Sequence, residues 1–142
     1  MKLAILTPHV SALAQPSEED IRELADRGYR SIIGNRPDGE APDQPAWAAL
    51  KAAAVARGME AVHIPVVASQ IGAADIRAFR EALEGLPKPI VAFCRTGTRS
   101  ALLWALANAD GLTPDARIEI AAKQGFDLEP IRARLAQETA NA

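Results

Sequence analysis

Short apolar runs alternate along this chain with longer stretches in which apolar residues return every three or four positions. Met1–Leu6 reads as a first strand. Ser17-Glu18-Glu19-Asp20 is a capping-box-like start, and Ile21, Leu24, Ala25 and Gly28 follow at helical spacing, so a first amphipathic helix should end at Gly28-Tyr29. Arg30–Asn35 is a short strand that feeds a loop rich in Pro, Gly and Asp, Arg36 to Asp43. Pro45 begins a second helix, with Trp47, Leu50 and Ala54 on one face and Gly58 as its stop. Trp47 is expected in the core. Ala61–Val66 is a further strand, in which His63 is expected to be a hydrogen-bonded structural residue rather than a catalytic base. Ile71–Leu86 is a third helix with Ile76, Phe79 and Leu83 on one side.

Ile90–Phe93 is fully apolar and reads as a strand buried on both faces. It runs into Cys94, then a polar turn with Gly97 in its middle, then Ala101–Leu106 as a helix. Two short helices complete the pattern. Thr113-Pro114-Asp115 opens one and Gly125 closes it. Asp127 caps the last, where Leu128, Ile131 and Leu135 mark the buried face, and Gln137–Ala142 is expected to be a frayed tail. Alternating strands and helices predict an α/β fold: a mostly parallel central sheet of four to five strands with helices on both faces. The active loop lies between the last strand and the helix after it, in one domain spanning 1–142.

Composition changes this picture only by exclusion. The chain is 49% hydrophobic and 24% charged with a formal charge of −2, as for a globular protein that buries one core without staples. Its scattered, outnumbered basic residues argue against a nucleic-acid partner. A single cysteine forms no internal disulfide, and His9 and His63 are too far apart in sequence to suggest a metal cluster, so neither metal nor cofactor is expected. The apolar start is broken by Thr7-Pro8-His9, whereas a signal peptide wants roughly 7–15 uninterrupted apolar residues. The segment is read as a strand and the protein as cytoplasmic, with no membrane partner.

Cys94 carries the chemistry. Taken alone, a lone cysteine is a small buried hydrophobe. Here a strand precedes it and a helix follows, with Gly97, Arg99 and Ser100 at fixed offsets between. A strand–turn–helix of this kind turns backbone N–H groups inward and leaves the first helical amides unpaired, which makes an anion cradle. The helix end, those amides and Arg99 all favour thiolate over thiol, so Cys94 is expected to be a nucleophile at neutral pH. Arg95, Thr96, Gly97, Thr98 and Ser100 form the expected anion-binding loop. Arg36, Asp38 and Glu40 are a possible pocket.

Cys-x-x-Gly-x-Arg-Ser resembles the active loop of single-domain rhodanese sulfurtransferases, and it is similar to the Cys-x5-Arg loop of cysteine phosphatases. Gln15-Pro16, Glu19-Asp20-Ile21, Asn35-Arg36-Pro37-Asp38-Gly39-Glu40, Ile64-Pro65-Val66 and Gly125-Phe126-Asp127-Leu128 resemble a bacterial family of small sulfurtransferase- or phosphatase-like domains. That domain is also found fused to, or encoded beside, a metallo-β-lactamase-like hydrolase. The resemblance implies a cysteine-phosphatase-like fold and a small anionic substrate, either a sulfane-sulfur donor or a phosphoester. It also implies a metallo-β-lactamase-like persulfide-processing partner.

Three departures weigh between the two cargoes. The resembled phosphatases place arginine six residues after the cysteine, and here Arg99 is at plus five. They supply a general acid from an aspartate in the stretch corresponding to Ile64–Gln70, which here contains no carboxylate. They carry histidine before the cysteine, where this chain has Phe93. The expectation is therefore a sulfurtransferase that carries persulfide sulfur on Cys94. Arg99 would bind the donor, Arg95 would guide it, and the Ser100 hydroxyl would donate to the sulfur. The alternatives are a cysteine phosphatase working through a phosphocysteine and a non-catalytic anion or persulfide sensor. Arg36 and Glu40 could line the pocket or form an ion pair that fixes their loop, with the structural role preferred. Asp38, Glu40 or Asp43 could replace the missing acid.

Overall fold

A computed structural model describes residues 1–140. In chain order the strands are β1 (Leu3–Thr7), β2 (Val10–Leu13), β3 (Ser31–Gly34), β4 (Glu60–His63) and β5 (Ile90–Phe93). The helices are α1 (Glu18–Asp26), α2 (Trp47–Ala56), α3 (Ala73–Gly85), α4 (Thr98–Ala107), α5 (Pro114–Lys123) and α6 (Arg132–Ala140). Among the described residues no helix is long and apolar enough to cross a membrane.

The sheet order is β1-β2-β5-β3-β4. β2, β5, β3 and β4 are parallel neighbours, and β1 pairs antiparallel with β2. The chain thus inserts its last strand into the middle of the sheet. Central placement explains why Ile90–Phe93 has no polar side: alternate residues face opposite layers, and both layers are covered. Ile90 and Ala92 pack with Ile33 beneath α3 to α6, whereas Val91 and Phe93 pack with Ile32 beneath α1 and α2.

The start signals act as predicted. Ser17 Oγ accepts from the Asp20 amide and Asp20 accepts from the Ser17 amide, a reciprocal capping box. Thr113 Oγ1 accepts from the Ala116 amide at α5. The second helix begins at Trp47, two residues later than predicted, because Asp38 reaches across from the preceding loop to accept from the Trp47 amide at 2.8 Å. Trp47 is half-buried rather than central and lies over His63, ring centroids 4.9 Å apart.

Three expectations are corrected. Val10–Leu13 is a strand that the pattern did not show, since four residues with a polar Ser11 and an alanine give little β signal. Ser11 is buried against the Tyr29 hydroxyl at 2.7 Å, and Thr7 Oγ1 ties the hairpin by accepting from the His9 and Val10 amides. The last helical segment opens as a 3-10 turn, Glu129–Ile131, before α6. The expected tail is helical to Ala140, and its last two positions lie outside the described residues.

Gly34 marks where packing leaves no room for a side chain. A Cβ there would lie 2.6 Å and 2.7 Å from Trp47 ring atoms. Gly34→Ala is expected to destabilise the protein by about 1–3 kcal/mol through overpacking. A urea unfolding midpoint no lower than wild type would show that Trp47 yields freely.

Candidate active site

Leu13, Phe93, Gly34 and His63 lie in register across β2, β5, β3 and β4, so four parallel strands end at one level. The residues just beyond that level include Gln15, Cys94, Asn35, Arg36 and Val66. This is the edge at which open α/β sheets place ligand-binding groups.

Asn35, fully buried, ties these strand ends together. Its amide donates to Phe93 O at 2.8 Å and its carbonyl accepts from the Val66 amide at 3.0 Å. Its Nδ2 donates to Ile64 O at 2.9 Å, and its Oδ1 accepts from Ser100 Oγ at 2.8 Å. Ser100 therefore points at Asn35, not at the sulfur as expected from sequence. Its hydroxyl anchors the first turn of α4 to the end of β3.

The loop itself is compact. Gly97 has φ of 91°, a left-handed conformation that glycine takes without a Cβ penalty, and a Cβ there would also press on Phe126 at 3.2 Å. That turn aims the Gly97 N–H at Cys94 Sγ, 3.0 Å away. Thr98, Arg99 and Ser100 open α4, so their amides have no carbonyl one turn back. Thr96 and Thr98 are exposed, with their hydroxyls 3.0 Å apart. Cys94 is 1% exposed, and Gln15 holds the loop from the side by donating its amide to Arg95 O at 3.2 Å.

Arg99 comes to the site with a fixed orientation. NH1 donates to Glu40 Oε2 at 2.7 Å and to Val66 O at 3.0 Å, and NH2 donates to Glu40 Oε1 at 2.8 Å. Of the five N–H groups on a guanidinium, these contacts use three. The Glu40 hydrogen bonds, and after them the nearby charge of Cys94, raise the Arg99 pKa against the opposing effect of burial. Glu40 also accepts from Arg36 Nε at 3.0 Å, and Arg36, 6% exposed, donates to Gln15 Oε1 at 3.1 Å. The Arg36–Glu40 pair is thus an ion pair that fixes its loop and a wall of the site as well.

Arg36, Glu40, Ala41, Arg95 and Arg99 line a cavity of about 540 Å³. Three arginines against one glutamate leave this wall with two net positive charges. Arg95 is exposed at its rim. Asp38 does not reach this cavity. It caps α2 and lines a neighbouring depression with Glu40 and Gln44. His63 Nε2 donates to the Arg36 carbonyl, 3.1 Å away, and has a structural position. Asn35 and Gln15 were not singled out as site residues in the sequence, although a buried-strand sequence ending directly in Asn-Arg was a signal for the first.

The fold and the loop define a cysteine-phosphatase-like α/β domain. Residues 2–111 match the family of the beta-lactamase hydrolase-like protein, phosphatase-like domain, and the chain belongs to that family. Beta-lactamase hydrolase-like proteins of Xylella fastidiosa (strain Temecula1) and Agrobacterium fabrum are 37% and 40% identical to it over 130 residues, 90% of this chain. The chain spans 30% of the length of these curated relatives. Its structure is similar to that of a candidate phosphatase from Neisseria meningitidis, with 35% identity, a TM-score of 0.84 and coverage of 95% and 96% of the two chains. PTPMT1, at 18% identity and a TM-score of 0.73, shares the fold. A rhodanese-like fold, one of the two sequence expectations, is not what these likenesses show.

Two outcomes test the site's construction. Asn35→Ala strands the Ser100 hydroxyl and the Ile64 carbonyl, and is expected to lower stability by roughly 1–3 kcal/mol. An unchanged denaturation midpoint would remove Asn35 as the tie. The second test is acid titration. The hydrogen bond from Arg99, with help from Arg36, lowers the Glu40 pKa from 4.5 to about 2 even though burial opposes this. A folded-state pKa below the unfolded one stabilises the protein fully above pH 4.5, and that contribution is lost as pH falls through about 2. The gap in urea midpoint between wild type and Glu40→Gln should stay constant down to about pH 4.5 and then close toward pH 2. Closure already between neutral pH and 5 would contradict the bridge.

Proposed function

We propose that this domain is a cysteine-dependent phosphatase that cleaves phosphoesters through a phosphocysteine on Cys94. One observation carries the reading. A buried cysteine receives the Gly97 N–H on its sulfur, and beside it Arg99 is held by one edge in a cavity of net positive charge. That arrangement suits a phosphoryl group, whose equatorial oxygens need several convergent donors as charge spreads over them.

In this reading Cys94 attacks phosphorus, the amides from Arg95 to Ser100 receive the equatorial oxygens, and the two N–H groups of Arg99 that neither Glu40 nor Val66 takes complete the cradle. Arg95 draws the anion to the rim. Arg36 and Glu40 hold Arg99 in place. Membership in a family described as phosphatase-like supports this, as do the fold neighbours: P. aeruginosa TpbA, in a cysteine-to-serine form, is in complex with pTyr, and PTPMT1 is in complex with PI(5)P. Both are phosphate monoesters on unlike scaffolds, so what transfers to this chain is the phosphoester class alone. A phosphoester thus replaces the sulfane-sulfur donor as the substrate expected here.

The test uses an aryl phosphate with wild type, Cys94→Ser and Arg99→Lys, and a thiosulfate-to-cyanide assay in parallel. Cys94→Ser is expected to abolish phosphate release. Arg99→Lys loses the planar fork and should lower kcat/KM by roughly 10²-fold or more. Acid-quenched wild type should carry phosphate on Cys94 by intact mass. Persulfide on Cys94 with cyanide turnover and no phosphate release would return the sulfurtransferase reading.

A further inference from the structure

The first step of the proposed reaction forms the Cys94 Sγ–phosphorus bond while the bond from phosphorus to the leaving oxygen breaks and the electron pair goes to that oxygen. An alkoxide produced this way is about as basic as hydroxide, whose conjugate acid has a pKa of ~15.7. It must gain a proton as it departs, and a positioned acid contributes roughly 10²–10⁴-fold to that event. A carboxylate leaving group, with a conjugate acid near about 4, needs no such help.

The walls of the cavity hold one carboxyl group, Glu40. Both of its oxygens accept from guanidinium N–H groups, Oε1 from Arg36 and Arg99 and Oε2 from Arg99. With its pKa held at about 2 it has no proton to give at neutral pH. The other candidates are turned elsewhere. Asp38 caps α2 at Trp47, and Asp75 accepts from the Gly72 amide at the start of α3. Asp43 is exposed and lines neither the cavity nor the depression beside it. The His63 ring lies against Trp47, with Nε2 on the Arg36 carbonyl. His9 belongs to the opposite end of the sheet, where its carbonyl accepts from Ile90 at the start of β5. The segment that passes Arg99 through the Val66 carbonyl, Ile64 to Gln70, has no titratable side chain.

Resting on the phosphatase reading, we propose that this site is specific for phosphoryl groups whose leaving group departs unprotonated: acyl phosphates, phosphoanhydrides and aryl phosphates of acidic phenols. Alkyl phosphates, including phosphoserine and sugar phosphates, are discriminated against at the bond-breaking step. The second step follows the same logic. Water attacks phosphorus, the sulfur–phosphorus bond breaks to restore the thiolate, and the water's proton passes to phosphate or solvent because, among the described residues, the one carboxylate in the cavity wall, Glu40, is held by Arg36 and Arg99. Phosphocysteine breakdown is then slow, and the intermediate accumulates when the leaving group is good.

The experiment measures kcat/KM of the full chain on substituted phenyl phosphates of graded leaving-group pKa, with acetyl phosphate and phosphoserine at the extremes. The expected result is a steep fall with leaving-group pKa and a burst of phenolate from the most activated ester. Phosphoserine should trail the activated aryl phosphates by more than the ~10²–10⁴-fold that an acid would recover. Glu40→Gln, Asp38→Asn and Asp43→Asn should each keep the wild-type slope, whatever they do to the absolute rate. A flat dependence in wild type overturns the inference, and so does a slope that steepens in one of the three variants, which would identify that residue as the acid. Both of those results leave the phosphatase reading intact. Absence of Cys94-dependent release from even the most activated ester would instead overturn that reading and this inference with it.

Discussion

A single buried asparagine sets the geometry on which the site depends. Four parallel strands stop at the same level, and beyond it the pairing continues through isolated backbone bonds such as Cys94 N–H to Leu13 O and Ile64 N–H to Gly34 O, so the strand ends gain from a further tie. Asn35 supplies it with all four of its polar groups, to Phe93, Val66, Ile64 and Ser100. Together these bonds reach three segments. The end of β5, the chain beyond β4 and the first turn of α4 are thereby referred to one residue at the end of β3. Because Ser100 is one of the four, the loop that holds Cys94 is clamped at its far end while β5 holds its near end. A loop fixed at both ends, with Gly97 turning between, presents its amides in one arrangement rather than in many.

The second constraint is electrostatic and comes from the other side of the cleft. Glu40 is 59 residues from Arg99 in sequence, yet it meets that guanidinium along one edge and meets Arg36 as well. A carboxylate among three arginines lowers their mutual repulsion, so the cationic wall can be compact without being anchored by a ligand. The wall keeps two net positive charges. Glu40 thus shapes the field of the site and is, for the same reason, unsuited to proton transfer.

Much of the fold was legible because local signals and packing agreed. The Ser17 and Thr113 caps, the buried β5 run and the strand–turn–helix around Cys94 are each specified within a few residues, and the structure has them, with α4 starting at Thr98 rather than at the expected Ala101. β2 was not legible, since Val10–Leu13 is a strand only by virtue of lying between β1 and β5, and nothing in four such residues announces that neighbourhood. The same distinction divides the site. Cys94, Gly97 and Arg99 could be read from spacing, whereas the partner of the Ser100 hydroxyl and the bridging role of Glu40 depend on contacts across 65 and 59 residues. The preference for sulfur, which the family and fold likenesses do not support, has a related weakness. A one-residue difference in loop length, a missing acid and Phe93 before the cysteine describe how this domain departs from the phosphatases it resembles, and they do not by themselves define a different reaction.

Arg99 joins these constraints. A guanidinium has two usable edges, and a freely moving arginine would offer either to an incoming anion at the cost of ordering its side chain on each encounter. Here Glu40 occupies one edge and the Val66 carbonyl takes a further N–H, so that ordering is complete before any ligand arrives. The N–H groups left over are the NH2 proton and Nε, and the charge of Cys94 acts on the same group. An oxyanion beside the sulfur therefore meets a donor pair already in position, which is the condition under which hydrogen bonds favour a charge-developing transition state over the ground state. What the clamp removes is versatility. A glutamate bound twice to Arg99 and once to Arg36 is a fixed anion, and a site built around a fixed anion presents its remaining donors in one arrangement while that carboxylate holds no proton at neutral pH.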